Sequence, residues 1–320
     1  MKHSNNRLLI LLLMVVLTGS LSCKKEVPNI FNMFDVTLDL NKNSPFSVTE
    51  NQTVEEGDSL YFDFTIKSPT KDMHQVAIFQ VGSALPFLRI NLTKDERRNY
   101  SGVFKTAANA NATPNFKDGT NTFRIWAYDQ QGVYLGDGYK TITVNVTPKY
   151  TLIPNRVVYF PDVDSANGSA NSYLSLADGK TFNYQNGAAN SAGIDLAIFR
   201  TVTVSGGNTT YGFRLFSPSA SPLPYNAFDL SSWTKRETKF AAPHNNQATQ
   251  FVRSQLTSGA ALRAYAIGRK PTLTSITSNI AVNSVIAFVT PEGKYGAILI
   301  NNIEHNGDKP FVDVSIKIEK

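Results

Sequence analysis

Apolar residues along this chain come mostly in short runs with a period of two, punctuated by Gly, Asn, Asp and Pro. In residues 59–66, SLYFDFTI, the side chains of Leu60, Phe62, Phe64 and Ile66 fall on one side. Successive side chains of a strand point to opposite faces, so this alternation predicts a strand with one buried face. The same rhythm recurs at 34–40, 75–81, 85–92, 100–104, 120–129 and 139–146, with a turn at 54–58 and a polar loop at 107–118. In 120–129, TNTFRIWAYD, Phe123, Ile125 and Ala127 point one way, and Arg124, Trp126 and Tyr128 point the other. About seven strands with turns between them, over 34–148, predict an immunoglobulin-like sandwich.

The rhythm breaks at 148–154, PKYTLIP, where two prolines predict a short, stiff linker over 149–155. Beyond it, strands are expected at 156–160, 172–176, 180–184, 194–199 and 210–216. Residues 247–256 and 259–267 lack alternation and are rich in Ala, Gln, Leu and Arg, which predicts short helices. Residues 284–290, 295–303 and 311–318, with turns at 291–294 and 305–308, predict a three-strand meander. The expected fold class is all-β: a sandwich over 34–148 and a second β-rich domain, sandwich or barrel-like, over 156–320 with one or two short helices.

The first residues follow a different pattern. Lys2 and Arg7 precede LLILLLMVVLTGSLSC, an apolar run too short for an ordinary membrane span, followed by small residues and the single cysteine, Cys23. Charge, run length and flank predict a signal peptide over 1–22. The ending resembles the lipobox of bacterial lipoproteins, with Ser20 where Leu is usual and Leu21 next. That resemblance implies an acylated Cys23, a lipid-anchored tether over 23–33, and the membrane as a partner through the lipid. Several acyl chains anchor stably, because each buried methylene adds roughly 0.8 kcal/mol. Lys24, Lys25 and Glu26 form only part of the acidic signal associated with surface export, so the cell surface and the periplasmic leaflet of the outer membrane both stay open. With Cys23 spent on lipid there is no disulfide, and stability must come from packing. A formal net charge of +6, scattered along the chain, argues against nucleic acid as a partner.

Residues 120–132 resemble the penultimate hairpin of bacterial immunoglobulin-like modules, an aliphatic strand ending in Ala-x-Asp before a Gly turn. The runs NSYLSLADGKTFNY, AANSAGIDLAIF, DLSSWTKRETKF and VIAFVTPEGKYGAILI are similar to the C-terminal domain of Bacteroidetes two-domain envelope lipoproteins. Those proteins are mostly uncharacterised, and some resemble accessory members of glycan-uptake systems. The resemblance implies a non-catalytic envelope component that binds glycan or assists assembly. A structural or adhesion protein binding an envelope protein partner is the alternative, and an envelope glycoside hydrolase is the third reading.

Enzyme signatures are missing: there is no Walker loop, no G-x-S-x-G elbow and no H-E-x-x-H. Gly136-Asp137-Gly138 fits a hairpin turn better than a nucleotide loop, and His74, His244 and His305 are far apart in the chain. Asp162, Asp164 and Asn167 resemble half of a calcium loop, making Ca²⁺ the one candidate cofactor, although the spacing misses an EF-hand and a plain turn explains it too. Carboxylates that could serve glycoside hydrolysis in pairs are Asp162, Asp164, Asp195, Glu292 and Glu304. The aromatic residues are the best lead. Arg124, Trp126 and Tyr128 share the outer face of one strand, where rings can stack on sugars and a basic group can bond hydroxyls. The competing expectation, and the favoured one, is that the second domain or a crossing loop covers this face. Trp233 is either a further binding residue or the anchor of a long loop, and Tyr150, Tyr159 and Tyr173 are candidates to line an interdomain groove. Asp58-Ser59-Leu60 and Asp164-Ser165-Ala166 fit a short O-glycosylation motif.

Overall fold

A computed structural model describes residues 36–108, 117–225, 228–306 and 308–320. The signal peptide, Cys23 and the tether lie outside these residues. The first half forms β1 (Thr37–Leu40), β2 (Asn51–Glu55), β3 (Ser59–Lys67), β4 (Gln75–Gln80), β5 (Leu88–Asn91), β6 (Asn99–Ala107), β7 (Gly119–Tyr128), β8 (Tyr134–Gly136) and β9 (Ile142–Thr147). One sheet has the order β1-β3-β6; the other runs β2-β9-β7-β4-β5, with β8 also paired to β7. β2 and β9 are parallel, and the other pairs are antiparallel.

The alternation read in 59–66 and 120–129 is what joins the two sheets. Leu60, Phe62, Phe64 and Ile66 of β3 face Phe123, Ile125 and Ala127 of β7 in one core, all at 1% exposure or less. Phe62 meets Phe123 edge-on, with ring centroids 5.2 Å apart. Each such buried side chain contributes about 1.5–3 kcal/mol of transfer free energy, which drives the sheets together. The alternation shows neither β2 nor β8, because β2 is too polar and β8 too short.

The second half forms β10 (Tyr150–Tyr159), β11 (Tyr173–Leu174), β12 (Thr181–Phe182), helix α1 (Tyr184–Asn190), β13 (Leu196–Ser205), β14 (Asn208–Phe216), β15 (Lys239–Phe240), a π-helical turn (Gln250–Ser254), helix α2 (Gly259–Arg269), β16 (Val285–Val289), β17 (Tyr295–Glu304) and β18 (Phe311–Glu319). A five-stranded sheet, β10-β18-β17-β16-β15, faces a four-stranded one, β12-β11-β13-β14, across an aliphatic core. The outer face of the five-stranded sheet is also covered. Val285, Ala297 and Leu299 pack against Phe251, Leu256 and Leu262 of the helical segments. A strand buried on both faces needs apolar residues throughout, which is why VIAFV and GAILI read as continuous runs.

The fold is all-β with few short helices, as expected. The helices expected at 247–256 and 259–267 correspond to the π-helical turn and α2, and the meander corresponds to β16–β18. Residues 149–155, expected as a linker, instead include the first half of β10, which pairs with β18 from Tyr150↔Glu319 onward. Pro154 is accommodated where the register of that pairing shifts between Ile153 and Arg156, so the missing N–H costs no regular ladder bond. The expected strand over 180–184 is two residues long before Asn183 caps α1, its side chain accepting from the Asn186 N–H.

The two halves meet at Glu56, in the turn after β2. Its carboxylate accepts the backbone N–H groups of Gly259 (2.7 Å) and Ala260 (3.0 Å), at the start of α2, and of Lys149 (3.2 Å). Helix N-termini carry unpaired donors and partial positive charge, so a buried carboxylate there satisfies both partners.

Candidate functional site

β7 positions the outward residues. Its pairing with β4 sets Ala77 opposite Trp126, Phe79 opposite Arg124 and Gln75 opposite Tyr128, while β8 sets Tyr134 opposite Tyr128. Directly opposed residues share a face, so four aromatic rings from three strands gather on one surface. Trp126 lies 4.3 Å from Phe79, 5.3 Å from Tyr134 and 6.2 Å from Tyr128, centroid to centroid. All four residues are half-buried. Ala77 points outward between Trp126 and Arg89, its partners on β7 and β5, yet is fully buried beneath this aromatic layer.

A buried carboxylate holds the layer in place. Asp137, 2% exposed, forms an ion pair with Arg124 and receives a hydrogen bond from the Tyr134 hydroxyl. Its other bonds are local: it accepts the Tyr139 N–H at 3.0 Å inside the Gly136–Gly138 turn. Burial first, and then the Asp137 charge, push the Tyr134 hydroxyl well above the usual phenol range; burial also raises Tyr128. Both phenols therefore stay neutral and present rings and hydroxyls. The Trp126 indole N–H is turned inward with no hydrogen-bond acceptor, leaving the ring's carbon surface as its contribution.

The favoured expectation is that the second domain or a crossing loop covers this face; Tyr134, returned by the turn after β7, does pack on Trp126, which is half-buried. Among the described residues, the ring contacts of Trp126 are to residues of its own half. The junction with the second half lies at the other end of β7, where Asp118 interacts with Tyr150. At ~3.4 Å per residue, Trp126 is roughly 27 Å farther along the strand. The sequence alone does not bring Phe79, Tyr134 or Asp137 to this face, and Asp137 reads there only as part of a hairpin turn. Tyr134 was within reach, because a tight turn after Tyr128 returns it to the same face.

Trp233 is not part of such a surface. It is 5% exposed and packs on Tyr173 (4.7 Å) and Tyr184 (6.1 Å), anchoring the long segment between β14 and β15. A ring buried on both sides by aromatic neighbours offers no face to a sugar. The three tyrosines expected to line one groove lie apart. Tyr173 is in this cluster, Tyr150 lies under the Lys317 ammonium, and Tyr159 meets Phe311.

The calcium-loop residues are used otherwise. Asp162 pairs with Arg200 at 2.7 Å, and Asp164 accepts from Ser169 and Asn167, bonds that lower its pKa. Asn167 directs its amide N–H, a donor, at Asp164, which is the geometry of a side-chain-stabilised turn. Among the described residues no group of three or more His, Cys, Asp or Glu is placed to hold a metal ion.

Of the candidate hydrolytic carboxylates, the structure brings together Asp195 and Glu292. Arg236 bridges them, with Nε 2.9 Å from Asp195 and a bidentate pair of 2.7 Å bonds to Glu292. Asp195 is fully buried and also accepts from Thr238 Oγ1 and the Leu176 N–H, both at 2.8 Å. The Arg236 hydrogen bonds pull Glu292 down to about 2, the opposite of what a general acid needs. Glu304 accepts the Asn306 N–H in a turn. His244 stacks on Tyr265, and burial lowers its pKa; His305 lies against Tyr211 and Phe213. Ser59 and Ser165 of the two glycosylation motifs are exposed.

No protein-family model matches the chain, and no curated protein is similar to it. Among solved structures it is similar to a DUF4466 family protein from Parabacteroides merdae ATCC 43184, at 14% identity over 90% of this chain and 99% of that one, with a TM-score of 0.40.

Proposed function

We propose that this protein is a non-catalytic component of the bacterial envelope, anchored to the outer membrane through a lipid on Cys23, that captures polysaccharide on the outer face of its first half. The observation that carries this reading is the continuous aromatic surface of Phe79, Trp126, Tyr128 and Tyr134, pinned by the Arg124–Asp137 pair. Large half-exposed rings gathered on one side of a sheet mark interaction sites. Their positions are set by strand register and a buried ion pair, so little ordering would be required when a sugar stacks. Affinity electrophoresis through gels containing soluble polysaccharides tests it. The wild-type mature chain should be retarded, and Trp126→Ala should migrate as in a polysaccharide-free gel. Equal mobility of wild type and variant in every gel would defeat the proposal. The anchor is tested separately: an alkyne fatty acid should label the wild type and not Cys23→Ala.

A second reading has its own support. Beyond Thr201 and Gly212, the hairpin β13–β14 is exposed along residues 202–210, with Val202 51% and Val204 69% exposed. Valines standing in water on a two-stranded ribbon favour contact with another protein. Under this reading, Val202→Lys with Val204→Lys would abolish recovery of a cross-linked envelope partner while leaving polysaccharide retardation unchanged.

A further inference from the structure

We infer that the polysaccharide taken by the aromatic face is an acidic one, whose carboxylate is bound by Arg89; this rests on the polysaccharide reading above. The geometry begins with register. Arg89 of β5 stands opposite Ala77 of β4, which stands opposite Trp126 of β7. The three residues form one row across the sheet, and the flanking side chains close over the fully buried alanine in the middle, so guanidinium and indole bound one continuous outer surface. With strands ~4.8 Å apart, the backbone positions of Arg89 and Trp126 are roughly 10 Å apart. A ligand touching both must be longer than one sugar ring. The next row, Asn91, Gln75 and Tyr128, runs alongside it, with Gln75 Nε2 donating to Asn91 Oδ1 at 2.9 Å.

Charge on this face is unbalanced. The residues turned outward by β4, β5 and the end of β7 include two cations, Arg89 and Arg124. Arg124 is neutralised by Asp137, which is itself buried. Asp129, in the turn beyond Tyr128, uses its Oδ1 to accept the N–H groups of Gln131 (2.9 Å) and Val133 (2.8 Å). Arg89 is exposed, on the edge strand of its sheet, and is engaged in none of the ion pairs or side-chain hydrogen bonds found among the described residues. One unpaired guanidinium beside stacked rings is complementary to a chain that carries both apolar ring faces and anionic groups. The planar fork matches a carboxylate with two parallel N–H···O bonds, the arrangement a uronic acid offers.

Affinity electrophoresis at physiological salt with polygalacturonate, dextran sulfate and hydroxyethylcellulose separates the alternatives. Wild type should be retarded most by polygalacturonate. Arg89→Ala, an exposed change that should leave the melting temperature unaltered, should bind polygalacturonate about tenfold more weakly while keeping any retention on hydroxyethylcellulose. Arg89→Lys, with a point charge in place of the fork, should fall between them. If Arg89→Ala binds polygalacturonate like the wild type while Trp126→Ala does not, the acidic assignment fails and the aromatic platform stands. Retention by dextran sulfate equal to that by polygalacturonate would overturn carboxylate recognition in favour of simple charge attraction. Loss of nothing in Trp126→Ala, or no retention of the wild type, would overturn both readings.

Discussion

Asp137 is the residue on which the outer face of the first half depends, because it is the buried anion that Arg124 and Tyr134 share. Its removal leaves a guanidinium without its counter-charge beside the rings. Arg124 is partly exposed, so water softens the penalty, and Asp137→Ala should cost about 2 kcal/mol rather than the larger loss of a fully buried pair. A urea titration measures it. Trp126→Ala should cost a similar ~2 kcal/mol, between a surface change and a core truncation, since the residue is half-buried. At Arg236 the residue-scale prediction is a pH dependence. Glu292 titrates at about 2 in the folded protein and near ~4.3 when unfolded. Its lowered folded pKa means that the stabilisation is complete above ~4.3 and is lost as pH falls toward about 2. Glu292 is half exposed, so the contribution is under about 1 kcal/mol. The urea midpoint of the wild type should therefore drop more across that window than the midpoint of Glu292→Gln.

Among the elements, α1 is the one whose place depends on a single absent side chain. Gly187 faces the Trp233 ring so closely that a Cβ built there collides with the indole. Gly187→Ala must push the helix or the tryptophan aside, and should cost about 2 kcal/mol, as overpacking a filled core does. Loss of near-ultraviolet circular dichroism from the Tyr173–Tyr184–Trp233 cluster would accompany it; an unchanged spectrum and unchanged stability would remove Trp233 as the anchor. This helix was not legible in the sequence. Its residues, YQNGAAN, carry little apolar periodicity; the cap at Asn183, the contact with Trp233 and the stacking of Tyr184 on Phe228 hold it in place. The long β7 is the contrasting case, because alternation alone assigned Phe123, Ile125 and Ala127 to the core and Arg124, Trp126 and Tyr128 to the other side.

For the molecule as a whole, Glu56 ties the halves together through the start of α2, and β10 runs from the junction directly into a sheet. Glu56→Ala would leave the buried N–H of Gly259 and the part-buried N–H of Ala260 without their acceptor, a loss of about 2 kcal/mol. Limited trypsin digestion is the direct readout. Lys149 and Arg156 should be cut slowly in the wild type and markedly faster in Glu56→Ala; equal rates would mean that the junction is held by other contacts.

What the sequence determined by itself is what local physics can encode. The two-residue period and β-branched and aromatic composition dictated strands, the faces of β3 and β7, the closing meander and the all-β class, because side-chain direction in a strand follows position in the chain. What lies against each face is set by residues distant in sequence, and only the tertiary structure decided it. Register places Phe79 from β4 beside Trp126, a turn returns Tyr134 and Asp137 to the same surface, and the packing of the second half sends Trp233 inward. It also turned an expected linker into a strand, because the edge of β18 offered residues 150–159 a line of hydrogen-bonding partners that no local pattern could announce.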